Sequence, residues 1–168
     1  MRKNSKSIKV LTKDMQLIET HANSKVHPKL SVYFSYCLYK SAMKLRSSIN
    51  LALLEHDLIS PQLGILYLLH EEGAKSQVDL GNCLAIDKAT MVKLVDGLEK
   101  MKWIKREGSS SDRRIKNICL TPSGEQRFQK IKKVRDQVEK EFLSILNPHD
   151  EKELRRIIPK LLFHSSSP

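Results

Sequence analysis

Apolar residues fall first into a long helical stripe. Leu30, Phe34, Leu38, Ala42, Leu45, Ile49 and Leu53 recur at steps of three and four, the spacing of one face of an α-helix, and predict a helix from Lys29 to about His56. The stripe is longer than a small domain needs for its own core, so part of it is expected to meet another subunit. Ser60-Pro61 opens the next helix, with serine as N-cap and proline at the first helical position, where its missing N–H costs nothing. Leu63, Leu66 and Leu69 follow, and Gly73 is the stop. Ser76-Gln-Val-Asp79 reads as a capping box opening a short helix through Cys83. After a three-residue turn, Asp87 caps a helix from Lys88 to about Met101, with Met91, Leu94, Val95, Leu98 and Met101 facing inward.

The period then changes from 3.6 to 2. Trp103–Glu107 and Ile115–Leu120 read as two short strands, joined by Gly108-Ser-Ser-Ser-Asp-Arg-Arg114. Thr121-Pro122 starts a further helix carrying Phe128, Ile131, Val134, Val138, Phe142 and Ile145. Asn147-Pro148 stops it and starts the last helix, with Leu154, Ile157, Ile158, Leu161 and Leu162; Pro159 is expected to kink that helix or end its regular part. Helix, tight turn, helix and basic hairpin, in that order, make a winged helix-turn-helix. The expected fold is mainly α with a small β-hairpin wing.

Charge adds a partner to this picture. The chain has 30 Lys and Arg against 19 Asp and Glu, a formal net charge of +11. A balance this basic favours a polyanion, either nucleic acid or an anionic membrane surface; the plainer alternative is a solvated basic face. No apolar run approaches the ~18 residues that span a bilayer. The basic N-terminus is followed by no signal-like apolar stretch. Three irregularly spaced cysteines, Cys37, Cys83 and Cys119, suggest reduced thiols in a cytoplasmic protein, with Cys83 and Cys119 on apolar faces and Cys37 buried. The histidines form no zinc-ligand spacing, and there is no nucleophile elbow, phosphate-binding glycine loop or pair of catalytic carboxylates, so neither metal, cofactor nor enzyme activity is expected.

With the Lys88–Met101 helix packed through its apolar face, Lys88, Ala89, Lys93, Asp96 and Lys100 point away and Thr90 lies at the margin. An α-helix fits the major groove and reads it near its N-terminus: lysine can contact guanine or phosphate, and Ala89 a thymine methyl. Arg113 and Arg114 in the hairpin loop suit a minor groove, whose negative potential favours arginine, with Asp112 orienting one of them. Ser109 and Ser110 offer hydroxyls and N–H groups to phosphates, and the helix start at Ser76 and Gln77 offers another phosphate site. For each segment alone the competing reading is an ordinary charged surface.

Here the residues carry a resemblance. Leu84-Ala-Ile-Asp-Lys-Ala-Thr-Met-Val-Lys-Leu-Val-Asp-Gly-Leu-Glu-Lys-Met-Lys-Trp-Ile-Lys-Arg106 resembles the recognition helix and first wing strand of the MarR family. Asp112-Arg-Arg-Ile-Lys-Asn-Ile-Cys-Leu-Thr-Pro-Ser-Gly124 resembles that family's wing signature, an Asp-x-Arg followed by Leu-Thr-x-x-Gly. The resemblance runs from about Leu30 to Leu162. It implies a homodimer on duplex DNA carrying a pseudo-palindromic operator, with DNA contacts from Lys88, Ala89, Thr90 and Lys93, a minor-groove role for Arg114 and Arg113, and Asp112 as orienter. The implied organisation is an arm or extra helix over 1–27, an N-terminal dimerisation helix over 28–58, a winged-helix DNA-binding domain over 59–121, C-terminal dimerisation helices over 122–164 and a tail over 165–168.

Two departures stand out. Lys102 occupies the family's usual glycine before the first wing strand, and Gly97 lies inside the recognition helix, at a cost of roughly 1 kcal/mol relative to alanine. Many members release DNA on binding a small, often aromatic, effector. Tyr33, Tyr36, Tyr39 and Tyr67 could line such a pocket, though plain packing is the commoner use of aromatic residues at helical spacing. Some relatives sense peroxide through a first-helix cysteine, but the matching position is Ser35; Cys37 is turned about 200° from it. The function expected is a dimeric, sequence-specific transcriptional regulator. The alternatives are a winged-helix protein-interaction module and a nonspecific architectural DNA binder.

Overall fold

The computed structural model describes residues 26–108 and 116–163. The arm up to residue 25, the wing tip and the tail lie outside the described residues. A 3-10 turn at Pro28–Leu30 leads into α1 (Phe34–Leu54), α2 (Ser60–Glu72), β1 (Lys75–Ser76), α3 (Gln77–Leu84), α4 (Lys88–Lys100), β2 (Ile104–Gly108), β3 (Lys116–Leu120), α5 (Pro122–Leu143) and α6 (Pro148–Leu162). The strands form an antiparallel sheet in the order β1-β3-β2, with Ile104 opposite Leu120 and Lys75 opposite Ile118. Winged helix and wing share one core with α5: Ile65, Leu66, Leu80, Met91, Leu94, Val95, Leu98, Ile104, Ile118, Phe128 and Ile131 are all almost fully excluded from solvent. α1 packs mainly on α5 and contributes Leu53 to that core.

Capping residues set most helix starts. Asp87 accepts from the Thr90 N–H at 3.0 Å, Thr121 from the Gly124 N–H at 2.9 Å, and Asn147 from the Asp150 N–H at 2.9 Å. The second helix departs from expectation. Its N-cap is Ile59, with Ser60 one position inside. Gln62, in the third helical position, turns its Oε1 back to accept from the Ile59 N–H at 3.3 Å. The Ser60 hydroxyl is taken instead by Asn50 Oδ1 of α1; Asn50 is only 3% exposed, and a buried amide must be paired.

The helix ends hold the larger surprise. Three of them close through a left-handed residue that is not glycine: Asp57 at φ 55°, Ala85 at φ 52° and Lys102 at φ 61°. After α4, the Lys102 N–H bonds Glu99 O at 2.8 Å and the Trp103 N–H bonds Leu98 O at 3.1 Å. This is the Schellman pair, and Leu98 and Trp103 are both buried beneath it. The same two bonds close α1 (Asp57 to Leu54 O, Leu58 to Leu53 O) and α3 (Ala85 to Asn82 O, Ile86 to Gly81 O). Lys102 thus makes a turn that glycine most often makes, at the steric cost of a Cβ in the left-handed region. Lys102→Gly is expected to raise stability by about 1 kcal/mol, offset in part by glycine's greater freedom in the unfolded chain. Chemical denaturation checks it; an unchanged or lower midpoint would mean that the turn carries no such strain.

Several expectations need correction. α1 begins at Phe34, not Lys29, because local bonds fold the preceding residues into a 3-10 turn: the Ser31 hydroxyl and N–H both reach Pro28 O, and Tyr33 is extended. Leu30 is therefore outside the helix, and Phe34 and Leu38 are exposed while Lys40, Ser47 and Asn50 are buried. β1 was not expected, since two residues show no alternation. The first wing strand starts and ends one residue later than expected, with Trp103 buried ahead of β2; the second ends at Leu120 as expected, and its expected first residue, Ile115, lies outside the described residues. α6 continues through Pro159 to Leu162 rather than ending at it. Ile145 lies beyond α5 and is 88% exposed. Cys83 is exposed, because Leu80 is the one buried residue of the short α3. Cys37 and Cys119 are half-buried rather than core.

Candidate nucleic-acid interface

α4 is anchored by Met91, Leu94, Val95 and Leu98, which leaves the opposite face to solvent. Lys88, Ala89 and Lys93 are exposed and Thr90 is half-buried, as the helical spacing requires. Their helix start is well fixed. The Asp87 carboxyl sits below the usual carboxylate range because it accepts the Thr90 N–H and then the Thr90 hydroxyl. A depressed carboxylate stabilises the fold above its unfolded pKa and loses that contribution as pH falls through the lower folded value. Thermal unfolding across a pH series is therefore expected to show an acid loss that Asp87→Asn, a cap that does not titrate, reduces. An equal acid loss in the variant would exclude Asp87 as its source.

The α3 start is occupied from within. Ser76 Oγ accepts the Asp79 N–H at 3.1 Å and donates to Asp79 Oδ2 at 2.7 Å, while Gln77 is half-buried in the first helical position. Ser109, Ser110, Asp112, Arg113 and Arg114 lie outside the described residues; what the structure gives is their base, β2 and β3 paired in register from Ile104–Leu120 out to Gly108–Lys116.

Two further features were not read from the sequence. The Arg106 guanidinium of β2 donates one amino group to Glu99 and the other to Asp96 at 2.6 Å, both on α4. Nothing in the local pattern announces it, since the partners come from a different element. Gly97 also has a packing reason: a Cβ there would lie 2.9 Å from Gln62 Nε2, so glycine lets α4 lie against α2.

The wing's root is equally specific. Thr121 Oγ1 accepts from the Gly124 N–H and donates to Lys102 O at 2.7 Å, and the Thr121 N–H bonds Trp103 O at 3.0 Å. Any Cβ on Gly124 would stand 1.8 Å from that same Trp103 oxygen. Thr-x-x-Gly is thus a joint between helix α5 and the hairpin.

Between α1, α2 and α5 lies a cavity of about 420 Å³ lined by Ile49, Leu63, Tyr67, Leu84 and Phe128, with Lys132 and Arg135 also in its wall. Of the four tyrosines only Tyr67 lines it. Tyr33 and Tyr39 are exposed, and the Tyr36 hydroxyl accepts from the His27 N–H at 3.4 Å. Beside the cavity, His70 Nδ1 lies 2.9 Å from Glu125 and its ring packs on Phe128, joining α2 to α5. The Glu125 carboxyl is held below its usual range by the Gln129 amide and then by His70. Burial, and next the hydrogen bond to Glu107, push the Cys119 thiol up, which does not favour a reactive thiolate. Among the described residues no group of three or more His, Cys, Asp or Glu could hold a metal, and no helix is long and apolar enough to cross a membrane.

The MarR family model matches residues 58–116, from the start of the second helix to the third strand. YpoP of Bacillus subtilis, an uncharacterized HTH-type transcriptional regulator, is 30% identical over 105 residues, which cover 62% of this chain and 74% of YpoP. The chain belongs to the MarR family. The fold agrees: the structure of wild-type apo MarR from E. coli superposes with a TM-score of 0.70 at 18% identity, over 82% of this chain and 99% of MarR. BpsR of Bordetella bronchiseptica, whose DNA binding is regulated by 6-hydroxynicotinic acid, gives 0.71 at 22% identity, over 84% of this chain and all of BpsR, 100%. This MarR-family chain is accordingly a winged-helix transcriptional regulator.

Proposed function

We propose that the regulator acts as a cytoplasmic homodimer that binds a pseudo-palindromic duplex operator and performs no catalysis. The observation that carries this reading is the outward face of α4, where Lys88, Ala89 and Lys93 stand exposed beside a fixed helix start, next to a hairpin whose loop carries Arg113 and Arg114. In this reading Lys88, Ala89, Thr90 and Lys93 enter the major groove. Arg113 and Arg114 take the minor groove with Asp112 orienting, and Ser109 and Ser110 meet phosphate. The N-terminus of α3 at Ser76 and Gln77 meets phosphate through its backbone, since the Ser76 hydroxyl is already engaged.

The dimer is supported by what one chain leaves uncovered. Phe34, Leu38, Leu161, Leu162 and Phe163 are exposed, and α6 buries no residue on its own chain. Exposed apolar surface on both terminal helices fits an interface between subunits. The cavity beside α5 fits a small effector. Tyr67 and Phe128 favour a ring and Lys132 an anionic group, in keeping with the 6-hydroxynicotinic acid that regulates BpsR; Arg135 is already paired with Glu139 at 2.6 Å.

Selection from a randomised duplex pool, followed by sedimentation of the selected complex, tests the proposal. Enrichment of a pseudo-palindrome bound by two protomers is expected. Binding without enrichment would instead indicate an architectural DNA binder, and no binding by a folded dimer at low salt would indicate a protein-interaction module.

A further inference from the structure

We propose that Arg106 is a positioning residue for DNA recognition, which locks the wing strand to the outer face of the recognition helix and so sets the angle between the two. The inference rests on the DNA-reading role proposed for α4 and the wing. Residue alternation in β2 commits the side chain to this task. Arg106 pairs with buried Ile118 across the ladder and shares its face of the sheet with Ile104, the face that covers α4. Lys105 and Glu107 take the other face and pair with each other at 2.5 Å.

On α4 the partners are one turn apart. Asp96 and Glu99 lie three residues from each other, so both reach the same guanidinium, whose planar fork serves two carboxylates at once. The Arg106 side chain is 23% exposed against 57% for Asp96 and 38% for Glu99. A single exposed ion pair contributes little, but here one cation joins two turns of one element to a second element.

The clamp also settles a charge conflict. Asp96 shares the outward face of α4 with Lys93 and Lys100. Beside a phosphate backbone, two free carboxylates on that helix would repel the DNA. Held by Arg106, they turn instead toward the strand. Covalently, α4 and β2 are joined only through the left-handed turn at Lys102, so the guanidinium is a second, non-covalent link between the elements that read the two grooves.

The test uses the full chain and a duplex that it selects from a randomised pool, against a scrambled duplex, with affinities taken over a salt series and thermal unfolding run in parallel. Arg106→Ala is expected to lower the selected-over-scrambled ratio by about tenfold or more, with any change in salt slope that the freed carboxylates cause reversed in the triple variant below. The triple variant R106A/D96N/E99Q, which removes the repulsion but not the lost link, is expected to recover scrambled-duplex affinity and leave the ratio low. If R106A does not fold, Arg106→Lys, which keeps the charge but not the fork, is read in the same way. A ratio unchanged in the folded variant overturns the proposal. It would assign Arg106 to phosphate if the slope falls by about 0.9, and to fold stability alone if only the unfolding temperature falls. A wild-type chain that selects no sequence overturns the DNA-reading role itself, and the clamp with it.

Discussion

Gly124→Ala is expected to be among the most damaging single substitutions in the described fold. The added methyl group would stand 1.8 Å from the Trp103 carbonyl oxygen and 2.7 Å from its carbon, and both are backbone atoms. No rotamer change relieves such a contact; either α5 or the root of the hairpin must move. Both are pinned at that point. Thr121 bonds Trp103 O and Lys102 O, and Phe128, one turn further along α5, is fully buried. Overpacking against fixed backbone costs on the order of 3 kcal/mol or more, which for a domain of this size lowers the unfolding temperature by roughly 6–12 °C. Because the joint carries the wing, DNA affinity is expected to fall with it. Thermal unfolding and duplex titration check both; a stability within about 0.5 kcal/mol of wild type would show that the joint has slack.

The second large effect belongs to the wing arginines. Replacing Arg113 and Arg114 together with alanine is expected to weaken binding to the selected duplex on the order of 100-fold or more, at about 1–3 kcal/mol for each arginine. The salt slope should fall by roughly one to two ions, as expected when two cations leave the backbone's counterion field. Thermal unfolding should be unchanged, which separates this loss from that of Gly124→Ala. Retained affinity in the double variant would remove the wing arginines from recognition and leave the reading of the duplex to α4.

The contrast between these two positions shows what a sequence exposes. Asp87, Thr121 and Asn147 were legible because capping needs only a short polar side chain and a helix behind it; each makes the bond expected of it. The face of α4 was legible for the same local reason, since Met91, Leu94, Val95 and Leu98 fix which way Lys88 and Lys93 point. The turns after α1, α3 and α4 were not, because their left-handed residues are Asp57, Ala85 and Lys102 rather than the glycine that signals such an end. After α1 and α4 a buried hydrophobic residue just beyond the turn, Leu58 or Trp103, holds the backbone where propensity would not; after α3 the partly buried Ile86 takes that place.

Features set by a second element were hidden altogether. Ser60 looks like an N-cap until Asn50 on α1 takes its hydroxyl. Gly97 looks like a defect until Gln62 is seen against it. Arg106 looks like one more cation in a basic strand until Asp96 and Glu99 close on it. Phe34 and Leu38 continue the stripe of α1, yet the single chain leaves them exposed, the outcome that an interface between subunits would give a stripe longer than one core requires.

The most direct test of the account is the affinity of the wild-type chain for its selected duplex and for a scrambled duplex of the same length, each at two salt concentrations. A sequence-reading dimer is expected to prefer the selected duplex by roughly 10³-fold or more and to lose affinity steeply with salt on both. Equal affinity for the two duplexes would contradict it.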